Sequence, residues 1–369
     1  MRPALIQQKA AKSNRLDFID WMRGLAAFIM LQGHTFDAFA SAEARKGDAF
    51  ILSQFIGGET AAIFLFLTGA TYGLGMSRRE HLPAGARVIA ALKRARYLFL
   101  LGIIFRLQGW IFAWGRSPVS DLFNVDILNV MGATAGLVAL LAFWNGMDRV
   151  RGGILAGLLI ALASPLMSVV NLSFLPKEIN AYLIPSGDGF PIFPWGAYMA
   201  FGVALGSAIP LVERGAWNRI MQWAAIAGMG LIMLGRYFAD LPFSLYSASD
   251  FWLNSPALVA CKMGVAFVVV AFAYIWMEYL NVGWSFVRQL GTTSLVVYWI
   301  HVDLEYGPWM AAYRGRWTAW QCVLFAAVLI PIMVVISIAF TRATNYYSSR
   351  ASKVVTLPVE HDELARKRA

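Results

Sequence analysis

Charge is scarce in this chain of 369 residues: only 14% are Asp, Glu, Lys or Arg, against roughly 25% in an average soluble protein. Hydrophobic residues make up 59% and the mean hydropathy is +0.59. A soluble fold of this size could not clothe its surface with so few charges, so that class is excluded. Cysteine is nearly absent, and Cys261 and Cys322 both lie inside apolar runs. That excludes a disulfide framework and a thiolate metal site. There is no Walker loop, no GxGxxG after a strand and no zinc-spaced His/Cys cluster. With 4 histidines in all, two of them (His81 and His361) in expected cytoplasmic segments, no metal is expected. Nor is there an internal repeat or a linker that would split the chain. The first apolar stretch has no A-x-A-like site behind it, so it reads as an anchor and not as a cleaved signal.

What fills the chain is apolar runs of membrane length, about 20 residues each. They fall near 18–40, 50–76, 95–114, 127–144, 153–170, 190–210, 217–235, 256–278, 289–304 and 318–341. The expected fold is all-α: a polytopic integral membrane bundle of about ten transmembrane helices. A basic cytoplasmic tail over 1–17 precedes the membrane domain over 18–341, and a second basic cytoplasmic tail follows over 342–369. Orientation follows from the basic residues. With the N-terminus inside, 21 of the 31 Lys and Arg fall in cytoplasmic segments and 7 outside; Arg23, Arg106 and Lys262 lie within spans. Both termini are therefore expected in the cytoplasm. The net charge of +10 then reads as loops facing anionic lipid, with no nucleic-acid partner implied. The expected location is the plasma (inner) membrane, and an apolar surface of this extent has room for a homodimer.

The first span, RLDFIDWMRGLAAFIMLQGHTFDAF from Arg15, carries the chemistry. A membrane helix should avoid ionisable groups, yet this one holds Asp20, Arg23, His34 and Asp37. At about 100° per residue, Arg23 and His34 differ by only about 20° in direction, and Asp20 and Asp37 lie within roughly 60° of Arg23. The four form one polar stripe, which must face the bundle interior or a water-filled cavity. Two plainer readings stand beside this: His34 as a hydrogen-bonded strut between helices, and Asp20 with Arg23 as an i,i+3 pair snorkelling to the interface.

The pattern R-x-x-D-x-x-R-G-L-A followed by His34 resembles the first helix of heparan-α-glucosaminide N-acetyltransferase-like proteins, within the wider transmembrane acyltransferases. Further blocks agree in order: IFLFLTGATYGLG (63–75), DILNVMG (126–132), FPIFPWGAYMAFGVALG (190–206) and LGTTSLVVYWIHV (290–302). The resemblance implies acyl transfer across the bilayer. Acyl-CoA, most simply acetyl-CoA, is the donor from the cytoplasm, and the acceptor is an amine or hydroxyl on a glycan or amino sugar outside. The family's essential histidine maps onto His34, as acyl-carrying nucleophile or as base, with Arg23 and Asp20 beside it. Imidazole suits either role because it exchanges protons near neutrality.

Other residues are weighed around this reading. Tyr298, His301 and Glu305 share a helix face in TSLVVYWIHVDLEY and would orient the acceptor or His34; otherwise Trp299, His301 and Asp303 form an interfacial cap. Asp126 and Asn129 open the fourth span on the side of His34, where Asp126 also reads as a helix N-cap. Together with Asp37, these make the acceptor-side candidates His301, Asp303, Asp37, Tyr298 and Asn129. Gly202 and Gly206 are spaced for close helix approach, and Pro191 with Pro194 announces an irregular start to the sixth span. The run Arg78, Arg79, Arg87, Lys93, Arg94 and Arg96 is a topology signal, and Arg78, Arg79 and Arg94 are candidates for the donor phosphates. The alternative to an enzyme is a transporter of a small polar or anionic substrate, using the same stripe; against it stands the lack of inverted repeats.

Overall fold

A computed structural model describes residues 16–187, 189–280 and 283–355. Among these there are helices and turns and no strands. The N-terminal tail up to Arg15, His361 and the end of the C-terminal tail lie outside the described residues. Thirteen α-helices run α1 (Asp17–Phe39), α2 (Asp48–Gly57), α3 (Thr60–Ser77), α4 (Ala84–Phe112), α5 (Ile127–Val138), α6 (Gly146–Met167), α7 (Lys177–Leu183), α8 (Ile192–Ala208), α9 (Trp217–Ala239), α10 (Pro256–Ile275), α11 (Phe286–Thr292), α12 (Ser294–Tyr306) and α13 (Ala319–Val355). Each expected span falls on one of these helices or on a pair of them. Among the described residues, five stretches are long and apolar enough to cross a membrane by length and composition: Asp48–Ser77, Gly146–Met167, Ile192–Leu211, Pro256–Leu280 and Ala319–Ser349.

Several elements differ from expectation for identifiable reasons. The second span is broken at Gly57 and Gly58, where α2 ends and α3 begins. Freed backbone carbonyls are costly away from water, and here the amine of Lys262 donates to the Gly58 carbonyl. Glu59 pairs with the same amine at 3.7 Å. The ninth span is likewise two helices, α11 and α12, parted at Thr293 (φ −121°, ψ 22°). The fourth ends its α-helical part at Val138 and continues as 3₁₀ to Phe143. The last helix runs on to Val355, past the expected membrane edge.

Helix α1 is central, touching α2, α3, α10, α11, α12 and α13. Its closest partner is α11, because Gly24 and Gly291 remove two side chains from the crossing. A Cβ on Gly24 would strike the Val287 carbonyl, and one on Gly291 would strike that of Asp20. The expected role of Gly202 and Gly206 holds: their missing side chains let α8 lie on the α3 backbone at Phe66 and Ala70. The irregular start of α8 also appears, with Phe193 in a non-helical conformation (φ −98°, ψ 113°).

The ends opposite the His34 end of α1 are tied by buried arginines. Arg149 of α6, fully buried, donates to Ser207 Oγ (2.9 Å), Ser77 Oγ (2.6 Å), the Trp144 carbonyl (3.1 Å) and the Glu80 carboxylate. Arg87 donates to Asn145 and to the Phe143 carbonyl at 2.8 Å. Of the basic run, then, Arg87 is buried in a structural contact, whereas Arg78, Arg79 and Arg94 are exposed.

Candidate active site

The last two turns of α1 meet α12 around two imidazoles. His34 Nδ1 lies 3.1 Å from His301 Nε2, and His301 Nδ1 lies 2.8 Å from the Val297 carbonyl oxygen. A carbonyl only accepts, so in the neutral pair the proton sits on His301 Nδ1 and Nε2 keeps its lone pair. That lone pair accepts from His34 Nδ1–H, which leaves His34 Nε2 unprotonated. The sequence of contacts therefore fixes both tautomers and presents one basic nitrogen.

Around this pair Thr35 and Glu305 are fully buried, Asp37 and Tyr306 are partly exposed, and most of their polar atoms have partners. Thr35 Oγ1 lies 2.9 Å from the Leu31 carbonyl oxygen of its own helix and also reaches the carboxylate of Glu305, so its one hydroxyl proton is shared between these two acceptors. Tyr306 donates to Asp37 Oδ2 at 2.8 Å, and its ring meets that of His34 edge-on at 5.6 Å. Asp37 also pairs with Arg45 at 3.7 Å. Donor atoms of His34, His301 and Glu305 all lie within 4.8 Å of one another. From sequence, His301 and Glu305 share a helix face that would orient the acceptor or His34, and the structure brings both to His34. That the three together could hold a metal ion does not follow from the count of histidines, from which no metal is expected.

Beside it opens a cavity of about 480 Å³ between the end of α4, the 117–124 loop, α12 and the 307–314 turn. Arg106, Trp110, Arg116, Asp121, Asp303 and Arg314 line it, and Tyr306 stands in its wall with its ring against His34. Asp303 accepts from Gln108, whose own oxygen takes the Trp299 indole N–H at 2.8 Å.

Of the residues expected from sequence, the structure unites His34, His301, Glu305 and Asp37, with Asp303 in the adjoining cavity. Tyr298 reaches the group only by its ring, 5.7 Å from His301 and 5.3 Å from Phe105. Asn129 is buried against the backbone position of Gly102. Asp126 is the N-cap of α5, accepting from the Leu128 and Asn129 amides at 3.0 Å, and it pairs with Arg106 at 2.9 Å. The interfacial-cap reading fails for His301, which is fully buried. Arg23 and Asp20 do not join the site. Eleven and fourteen residues of helical rise put them about 16 and 21 Å along the axis from His34, and Arg23 reaches Thr71 of α3 at 3.3 Å. The common direction on the helical wheel was real, but depth separates the stripe into two places. Arg78, Arg79 and Arg94 lie at the far end of the bundle from His34.

Thr35, Gln108 and Tyr306 were missed. Thr35 adjoins His34 in sequence, which was the available signal. Tyr306 lies about 140° round the helix from His301, so face-matching could not find it.

Fold and site together define a helical, membrane-compatible protein with two hydrogen-bonded imidazoles, His34 and the fully buried His301, between α1 and α12. The chain belongs to the family described as heparan-alpha-glucosaminide N-acetyltransferase, catalytic, whose sequence profile matches residues 15–245. That makes it a member of a transferase family of the acetyltransferase kind. The matched stretch holds His34 and the blocks at 63–75, 126–132 and 190–206, while His301 and Glu305 lie beyond it. Among curated proteins none matches the chain.

Proposed function

We propose that the protein is an acyl-CoA-dependent membrane acyltransferase. It takes an acetyl group from cytoplasmic acetyl-CoA and passes it to an amine or hydroxyl of a sugar-containing acceptor on the other side of the plasma (inner) membrane. The ten-helix reading, with both termini inside, belongs to the same proposal. The observation that carries it is the tautomer-fixed His34–His301 pair beside a cavity whose largely apolar wall carries Arg106, Arg116, Asp121, Asp303 and Arg314, in a chain of this family.

The acceptor occupies the cavity walled by Tyr306, Asp303 and Trp110. Its attacking N–H or O–H gives its proton to His34 Nε2 as the nucleophile adds to the thioester carbonyl. The C–S bond then breaks, and the proton returns to the departing CoA thiolate. Positioned acid–base catalysis of this kind contributes about 10²–10⁴-fold. His301 holds the His34 ring, and Asp37 with Tyr306 holds the wall of the acceptor cavity. The CoA phosphates are received by exposed arginines of the inner loop, Arg78, Arg79 and Arg94.

The test is incubation of purified protein with radiolabelled acetyl-CoA and a panel of glucosamine-containing acceptors. Label should move to acceptor, and CoA should appear in equal amount. An absence of thioester turnover in every condition would return the transporter reading.

A further inference from the structure

Glu305 is a second buried ionisable group in the site that the proton transfer just described leaves without a task. It is fully buried, as are Thr35 and His301. One carboxylate oxygen takes the Thr35 hydroxyl. The other, Oε2, is buried and has no hydrogen-bond partner among the described residues. Such an oxygen is costly unless a proton or a positive charge comes to it.

The fixed cations nearby are committed elsewhere. Arg45 of the α1–α2 loop pairs with Asp37 and donates to the Ala40 carbonyl at 3.2 Å. Arg314 donates to the carbonyls of Tyr306 and Gly307. Arg106 of α4 pairs with Asp126 of α5. Arg116 of the adjoining cavity is exposed to solvent. Asp37 of α1, Asp121 of the 117–124 loop, Tyr298, Asp303 and Tyr306 of α12, and the buried Cys322 thiol of α13 also face this end, and none of these becomes cationic. That leaves the imidazoles of His34 and His301, with donor atoms within 4.8 Å of the carboxylate.

We infer that Glu305 is the counter-ion of the imidazole pair: it stabilises the positive charge that appears on His34 and His301 when the acceptor proton arrives. This rests on the acid–base reading of His34. As His34 Nε2 gains the acceptor proton, His34 Nδ1–H can pass its proton to His301 Nε2. The cation is then shared over two rings, of which His301 is fully buried. Asp37, the other carboxylate beside His34, is already engaged by Arg45 and Tyr306, whereas the second oxygen of Glu305 has no partner among the described residues, and it is this carboxylate that balances the charge. When the thiolate leaves, the proton goes back along the same bonds and the pair is neutral again. Glu305 is thus a positioning residue in the electrostatic sense, acting through His301 on His34 without touching substrate.

Glu305→Gln keeps the volume and an oxygen for Thr35 but removes the charge. Its kcat should fall about 10²-fold, the scale of one preorganised electrostatic contact, with both KM values held within about twofold. The pH profile supplies the readout that a packing role would not move. Losing a neighbouring negative charge disfavours the imidazolium, so the rising limb of kcat should shift to lower pH. Glu305→Asp keeps the charge, and should hold the limb where it is with kcat within about tenfold of the parent. The inference is overturned by wild-type kcat in Glu305→Gln, or by a lower kcat with an unmoved limb. It is equally overturned by stoichiometric zinc in the parent protein that Glu305→Gln loses, which would make Glu305 a metal ligand. Should Glu305→Gln not fold, a shifted limb in Glu305→Asp overturns it alone. The underlying reading fails separately, through full turnover in His34→Ala.

Discussion

At the scale of single residues, the proposed acid–base chemistry turns on a question of protons: which nitrogen of His34 is free. The Val297 carbonyl decides it two bonds away, by holding the proton of His301 on Nδ1. Without His301, the His34 ring loses the acceptor that fixes its tautomer at 3.1 Å. His34→Ala should therefore remove the base and lower turnover by about 10²–10⁴-fold, while the protein still inserts and still binds acetyl-CoA. His301→Ala should lower kcat by a smaller factor, since the base survives in the wrong tautomer for part of the time. Steady-state rates on detergent-purified variants, with acetyl-CoA binding measured alongside, check both. Near wild-type turnover in His34→Ala would leave that histidine as a strut between α1 and α12.

At the scale of elements, much was legible because membrane helices announce themselves by apolar length, and all ten expected runs fall on helices. His34 was legible for the same reason: an imidazole deep in an apolar run has few cheap explanations. What could not be read were events that depend on partners distant in sequence. The break between α2 and α3 is held by Lys262, about two hundred residues later, and the one at Thr293 separates two helices that hydropathy alone joins. The stripe of Asp20, Arg23, His34 and Asp37 was read by angle, and the structure sorts it by depth, sending Arg23 to Thr71. The basic stretch between α3 and α4 divides similarly: Arg87 is anchored by Asn145 and Phe143, and Arg78, Arg79 and Arg94 remain exposed. Reversing the charge of these three together should raise the KM for acetyl-CoA more than that for acceptor. Each exposed contact is modest and screened by salt, so the effect should shrink as ionic strength rises. An unchanged donor KM would reduce the loop to a topology signal.

For the whole molecule, the proposed sidedness rests on the asymmetry of Lys and Arg, 21 against 7, and reporter fusions at Met1 and Ala369 should both respond as cytoplasmic. At the end of the bundle away from His34, α3, α6 and α8 converge on the buried guanidinium of Arg149. Burial by itself raises the Glu80 carboxyl, but the Gly146 amide and the Arg149 guanidinium outweigh it and hold the group below its usual value of 4.5. A carboxylate depressed in the folded state contributes stability above its unfolded value and loses it as pH falls through the folded one. Glu80→Gln leaves Arg149 buried with hydroxyl and carbonyl partners but no counter-charge, a change that costs about 3 kcal/mol for a fully buried pair and less here, where Glu80 is partly exposed. Thermal unfolding in detergent should therefore show a lower Tm for Glu80→Gln at neutral pH. The gap to wild type should close as pH falls below about 4.5, when the native carboxylate is itself protonated. A gap that persists unchanged into acid would mean that the Arg149 clamp is held by Ser77, Ser207 and Trp144 alone.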